Sequence, residues 1–232
     1  MNSLIDNIRL PEHRPKWGWP ILFTNQDIRK MLKLANPTKN DIFYDLGCGW
    51  GQNLLIALTE FKVKKVVGIE DDKKNWKKAT QRLEKVYGSK NWDIVRGEFE
   101  DLFSDKINEV DLSEATIVFY GLAPAKSVLR GLEKKLRKGC RLITYFNCLF
   151  PEIKYEDSNF PFYLSTFPFK KPKSELGWLK TVITKQKSTL QKKKIKADEL
   201  WKELFHDYEI EGVRNSVYTC KRRLEKLLSN KS

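Results

Sequence analysis

Asp41-Ile42-Phe43-Tyr44-Asp45-Leu46-Gly47-Cys48-Gly49-Trp50-Gly51 is the stretch whose reading decides the fold. Its apolar run, Ile42 to Tyr44, has strand character and stops at Asp45. Glycines at alternate positions, Gly47, Gly49 and Gly51, then lead into the helical run Leu54–Phe61. Strand, glycine turn and helix make a framework for holding a nucleoside-bearing cofactor. Glycine lets the backbone approach a ligand closely, and the N-terminus of the following helix offers unpaired N–H groups. The dinucleotide fingerprint needs its third glycine one position later, where this chain has Gln52. The spacing therefore points away from a pyrophosphate.

At 232 residues the chain suits one moderate α/β domain with an appendage, large enough to bury a core without metal or disulfide help. Its cysteines, Cys48, Cys140, Cys148 and Cys220, contain no C-x-x-C pair, and its histidines are His13 and His206. That inventory argues against a zinc site or a disulfide framework and fits a reducing compartment. No apolar run approaches the roughly 20 residues of a membrane span, and Met1–Arg14 lacks a signal-peptide core. The expectation is a soluble, cytoplasmic protein. A formal net charge of +14, from 44 basic and 30 acidic residues, favours encounters with polyanions or acidic protein surfaces. A lysine-rich solvated surface of the kind found in proteins from hot environments accounts for it equally.

Residues 1–20, with Pro11, Pro15, Trp17, Trp19 and Pro20, are too broken for a long helix and too aromatic for a plain tail. They read as an arm, laid over a pocket mouth or packed against the domain's outside. Ile28, Met31, Leu32 and Leu34 recur at helical spacing behind Thr24 or Asn25 as N-cap. Beyond the glycine turn and its helix, the β-branched run Val63–Glu70 reads as a second strand. A carboxylate closing that strand suits a vicinal diol, because it accepts hydrogen bonds from both ribose hydroxyls. Glu70 is favoured for that task; Asp71 and Asp72 are the other carboxylates there, and suit capping the next helix.

That helix, about residues 73–87, carries Trp76, Ala79, Leu83 and Val86 on one face and leads to a third strand, Trp92–Val95. Gly97-Glu98-Phe99 follows where an adenine is expected: Glu98 suits the exocyclic amine, and Phe99 offers a flat apolar surface or joins the core. Leu112–Thr116 opens a fourth strand that ends at Phe119-Tyr120-Gly121. In doubly wound sheets, reactants gather at the carboxyl ends of strands near the reversal of strand order, so these residues should face the reacting group. A helix over Ala125–Leu136 and a fifth strand over Cys140–Phe146 continue the alternation, which predicts a mainly parallel sheet covered on both faces.

Phe160–Phe169 and Gly177–Lys185 read as an antiparallel hairpin that completes the sheet and closes a domain of residues 21–185. Residues 186–197 form a lysine-dense linker. Residues 198–232 hold two amphipathic helices, similar to a helix-turn-helix unit or a plain helical hairpin docked on the main domain. In the first case Arg214, Lys221, Arg222 and Arg223 meet phosphates in salt-sensitive contacts without sequence preference.

Asp45-Leu46-Gly47-Cys48-Gly49-Trp50-Gly51 resembles the first motif of the S-adenosylmethionine-dependent methyltransferases of the seven-stranded class. The resemblance implies a Rossmann-like, mostly parallel seven-stranded α/β sheet with an antiparallel C-terminal hairpin, and S-adenosyl-L-methionine as cofactor. Two local signatures are absent. No Asn/Asp-Pro-Pro-aromatic sequence follows the fourth strand, as amino-directed adenine and cytosine methylation would use, and no Pro-Cys nucleophile stands there. Phe23-Thr24, Asp41–Gln52, Val63–Glu70, Val95–Phe99 and the run from Asp111 to Thr144 are instead similar to two groups of protein lysine methyltransferases. These are the archaeal broad-specificity enzymes and the eukaryotic histone lysine methyltransferase first known as a disruptor of telomeric silencing.

That resemblance implies that Thr24, Asp45, Gly47, Cys48, Gly49, Glu70, Glu98 and Phe99 contact the cofactor. It places Phe119, Tyr120 and Tyr145 around a narrow channel for the lysine of a protein substrate; Tyr120 either orients the amine or simply finishes its strand. The chain departs from the pattern in Trp50, in having Tyr120 where the eukaryotic enzyme has Asn, and in its C-terminal extension. Two readings stay open. One is methylation of protein lysine, on chromatin or other DNA-associated proteins with the basic extension as tether; the other is a nucleic-acid-binding protein on this fold, or an RNA or DNA methyltransferase, with the same extension capturing nucleic acid.

Overall fold

The computed structural model describes residues 23–122, 126–145, 150, 152–159 and 162–174. The N-terminal arm, the expected strand Gly177–Lys185, the linker and the C-terminal extension with Arg214, Lys221, Arg222 and Arg223 lie outside the described residues.

Helix α1 (Asn25–Ala35) begins at Thr24, whose Oγ1 accepts from the Asp27 N–H at 3.1 Å, and ends at Asn36 in the left-handed region. Strand and helix then alternate: β1 (Ile42–Leu46), α2 (Gln52–Thr59), β2 (Lys65–Glu70), α3 (Lys73–Tyr87), β3 (Trp92–Arg96), β4 (Ile117–Tyr120), α4 (Lys126–Lys135) and β5 (Arg141–Tyr145). The antiparallel strands β6 (Asp157–Asn159) and β7 (Phe162–Thr166) complete a seven-stranded sheet of order β3-β2-β1-β4-β5-β7-β6. β1 to β5 are parallel, and the order reverses between β1 and β4. These elements belong to one compact unit, Phe23–Lys171.

One local expectation needs correction. Leu112–Glu114 do not open the fourth strand; they form a 3₁₀ turn, because the Asp111 carboxylate accepts from both the N–H (2.8 Å) and the hydroxyl (2.7 Å) of Ser113. Among the described residues, the partner of β7 on its outer side is Asp157–Asn159, a segment too polar and exposed to show strand character in the sequence.

Alternation along the strands sends Tyr44, Leu46, Val67, Ile69, Val118, Tyr120 and Leu142 into one core with Val128, Leu129 and Leu132 of α4. Phe43, Asp45, Val66, Gly68 and Phe119 have the opposite parity and face the layer of α1, α2 and α3. α2 is apolar nearly all round, with Leu54, Leu55, Ile56, Ala57 and Leu58 buried, because it lies on β1 and β2 and between α1 and α3.

At the amino edge of the sheet, Arg141 ties three elements together. Its guanidinium pairs with the buried carboxylate of Asp41 and donates to the carbonyls of Ala35 and Asn36, the latter at 3.1 Å. Cationic donors suit these carbonyls, which are the unpaired, partially negative end of α1. Asp41 also accepts from the N–H (2.6 Å) and hydroxyl (2.9 Å) of Thr38. Breaking a buried pair strands the remaining charge. Arg141→Ala is expected to cost about 2 kcal/mol, below the usual loss because Thr38 still solvates Asp41. Urea unfolding measures it, and cofactor affinity at the opposite edge should stay unchanged.

Candidate cofactor site and aromatic wall

At the carboxyl edge, the glycine turn sits on the end of β2. The N–H groups of Gly47 and Cys48 both donate to the Ile69 carbonyl, at 3.0 and 2.9 Å, and the Gly51 N–H donates to the Cys48 carbonyl at 2.9 Å. Gly47, Gly49 and Gly51 have φ of 92°, 55° and 71°, the left-handed region that a Cβ disfavours. At Gly51 a Cβ would also stand 2.9 Å from Leu83 Cδ1 and 3.2 Å from Ala79 Cβ, so this glycine is what lets α2 start against α3.

Asp45, the next-to-last residue of β1, is fully buried. Its Oδ2 accepts from the Asn53 side chain at 2.8 Å, while Oδ1 has no partner. Burial above all, with help from the charge of Glu70 and against the Asn53 bond, pushes its carboxyl up to about 8. Glu70 closes β2: Oε2 accepts from the Gly49 N–H at 2.7 Å, and Oε1 accepts from the Asp72 N–H (3.2 Å) and Asn75 Nδ2 (3.3 Å). Burial raises its carboxyl as well, outweighing the three bonds that lower it. Asp72 is the cap of α3, accepting from the N–H groups of Lys74 (2.9 Å) and Asn75 (2.8 Å), while Glu70 is the last residue of β2. Cys48 is buried beneath the turn, and burial plus the two carboxylates push its thiol well up, so it stays neutral.

Thr24 is exposed at the start of α1, with its hydroxyl donating to Asp27 at 2.7 Å. Glu98 is exposed at the head of the short 3₁₀ turn Phe99–Leu102, and Phe99 is half-buried, edge-on to Tyr120 at 5.5 Å. The residues expected around the acceptor divide between the two faces of the sheet. Phe119 and Tyr145 meet in a cluster with Phe23 and Phe162: Phe23 lies 5.8 Å from Phe119, 5.0 Å from Tyr145 and 5.2 Å from Phe162. Phe162 completes the wall at 6.4 Å from Phe119 and 5.8 Å from Tyr145. Tyr120 follows Phe119 in the strand and so points the other way, stacked on Phe150 at 5.6 Å beside Phe99.

Phe162 was not expected at the site. Its place follows from β7 running against β5, which brings the first residue of β7 beside Tyr145, the last of β5. An aromatic at the start of an antiparallel closing strand is the signal that points to it. Among the described residues no cluster of His, Cys, Asp and Glu could hold a metal ion, and no helix is long and apolar enough to cross a membrane.

The arrangement fits S-adenosylmethionine. Asp45 Oδ1 is a buried acceptor with spare capacity for an ammonium donor. A Cβ at Gly47 would come within 3.1 Å of Leu122, so the bare backbone of glycine keeps the turn clear of that side chain. The carboxylate of Glu70 stands at the tip of the neighbouring strand, suited to hydroxyls.

Residues 23–184 match the family model of the histone methylation protein DOT1. A protein-lysine N-methyltransferase of Saccharolobus islandicus (strain REY15A) is 37% identical over 120 residues, covering 51% of this chain and 70% of the relative. The crystal structure of an RNA methyltransferase from Salinibacter ruber in complex with S-adenosyl-L-homocysteine shares the fold, with a TM-score of 0.54 and 24% identity over 66% of this chain and 98% of that one. Glycine turn, paired strand-end carboxylates and family match agree: the chain belongs to the DOT1 family of histone methylation proteins and is an S-adenosylmethionine-dependent methyltransferase of the seven-stranded class.

Proposed function

We propose that the methyl acceptor is the ε-amine of lysine side chains on proteins. The observation that carries this is the wall of Phe23, Phe119, Tyr145 and Phe162 beside the cofactor grip: Phe119 is the cross-strand register partner of Asp45. The name of the Saccharolobus relative supports the same class.

Bound S-adenosylmethionine supplies an electrophilic methyl group on a sulfonium. Around it, Asp45 holds the amino group, the backbone of Gly47, Cys48 and Gly49 makes room for the methionine portion, Glu70 takes the ribose hydroxyls, Glu98 and Phe99 receive the adenine, and Thr24 borders the cofactor at the start of α1. A lysine amine is nucleophilic only when neutral. Desolvation against four rings lowers the ammonium's pKa and sends its proton to water before the amine is in place. The same rings attract the cation that forms on transfer. Orientation and exclusion of water then suffice without a strong general base. Tyr145, whose hydroxyl is the polar group of the wall, suits orienting the amine. Tyr120, on the opposite face, supports the Phe99 platform. The basic extension with Arg214, Lys221, Arg222 and Arg223 suits a tether to DNA-associated substrates.

Incubation with labelled S-adenosylmethionine and cell lysate tests the acceptor. Label should survive nuclease, be lost to protease and appear as methyl-lysine on hydrolysis. Label released by nuclease instead would transfer the assignment to RNA or DNA.

A further inference from the structure

Trp50 interrupts the glycine motif, and its surroundings explain how the turn is held. Its indole N–H donates to Asn75 Oδ1 at 2.7 Å, and Asn75 in turn donates to Glu70 at 3.3 Å. The Lys78 ammonium lies over the indole, 4.1 Å from the ring centroid. The Trp50 carbonyl accepts from Arg82 Nη1 at 2.8 Å, and Arg82 Nη2 donates to the side chain of Gln52. Gln52 itself donates to Asn25, the first residue of α1, at 2.7 Å. A hydrogen-bonded chain thus runs from the tip of β2 through α3 and the turn to the start of α1, with Arg82 at its centre.

Arg82 is mostly removed from water, its Nε has no partner, and no carboxylate pairs with it among the described residues. Burying an uncompensated guanidinium costs free energy. Its two contacts to the turn are what offset that cost here.

We propose that Arg82 is a positioning residue for methyl transfer: by gripping Trp50 and Gln52 together it sets where the glycine turn stands relative to Glu70 and to the start of α1, and thereby sets cofactor affinity. This rests on the turn being the cofactor grip. The test uses the full chain, with S-adenosylhomocysteine as probe in titration calorimetry and circular dichroism to confirm folding. Arg82→Ala should raise Kd about tenfold or more at temperatures where the variant is fully folded, since misplacement of a binding loop is felt directly by its ligand. Arg82→Lys, which keeps the charge and one donor, should recover part of the loss. A purely structural role would lower Tm and leave Kd of the folded protein alone, so Kd within about twofold of the parent overturns the proposal. Should Arg82→Ala fail to fold, Gln52→Ala removes the links to Arg82 and to Asn25 while leaving the bond from Arg82 to the Trp50 carbonyl, and is expected to raise Kd about threefold or more; no change would overturn it equally. A parent protein that takes up no S-adenosylhomocysteine would instead remove the cofactor-grip reading itself, and this inference with it.

Discussion

Gly68→Ala is expected to lower S-adenosylhomocysteine affinity by about a hundredfold, although Gly68 itself touches no ligand. A Cβ there would stand 2.7 Å from Cys48 Sγ, 3.0 Å from Cys48 Cβ and 2.7 Å from Leu54 Cδ1. The tip of Leu54 can rotate away. Cys48 cannot, because its N–H is bonded to the Ile69 carbonyl and it lies between two left-handed glycines. The added methyl therefore lifts the turn off β2, and a shift approaching 1 Å at a binding loop costs on the order of two decades. Stability should fall as well, by about 1–3 kcal/mol, from overpacking. Pairing the change with Cys48→Ala removes the sulfur that the methyl meets, so the double variant should bind more tightly than Gly68→Ala alone. Parent-like affinity in the single variant would show that the seating of the turn on β2 does not govern the site.

Asp45 should make cofactor uptake proton-linked. Burial, with the Glu70 charge beside it, holds this carboxyl at about 8 in the ligand-free protein, so at neutral pH it is mostly protonated. A folded-state pKa raised above the unfolded value of about 3.9 contributes stability that is complete below about pH 4 and lost as pH rises through 8. The ligand-free Tm should therefore decline across that window. A cationic amino group at Oδ1 favours the carboxylate, and binding at pH 7 should release close to one proton. Calorimetry in buffers of different ionisation enthalpy reads that number. Asp45→Asn should flatten the pH dependence and weaken binding by about ten- to a hundredfold, because a charge-assisted hydrogen bond of about 1.5–3 kcal/mol is lost. The amide must also turn its oxygen to Asn53 and its NH₂ toward the ligand's ammonium. Uptake without proton release would mean that Asp45 is already ionised or does not meet the amino group.

The alternation of strand and helix from Asn25 to Tyr145 was legible because each element carries its own period and its own punctuation: Thr24 and Asp72 as caps, and glycines at the first turn. The places of Asp45 and Glu70 near the carboxyl ends of β1 and β2 were legible for the same reason, each being a polar residue late in an apolar run. What the sequence could not supply was which way neighbouring rings point across the sheet. Phe119 and Tyr120 look equivalent in the chain, yet they stand on opposite faces, and only the register with β1 and β5 decides which one joins Tyr145. Phe162 and the Arg82 chain were hidden because they depend on contacts between distant segments: the reversed direction of β7, and a guanidinium reaching from α3 to a turn some 30 residues earlier. Leu112–Glu114 misled in the other direction, since local bonds from Asp111 overrode an apolar start.

The reversed last strands also determine how a protein of this design can change. On the reading proposed above the nucleoside is gripped at the tips of β1 and β2, whereas Phe162 arrives on β7, three places along the sheet from β1. The exposed strand β6 just ahead of it can change its side chains and charge while, on the same reading, the residues that recognise the methyl donor stay as they are. On that reading donor and recipient are read by separate regions of one rim, and new recipients can be tried at little risk to the donor.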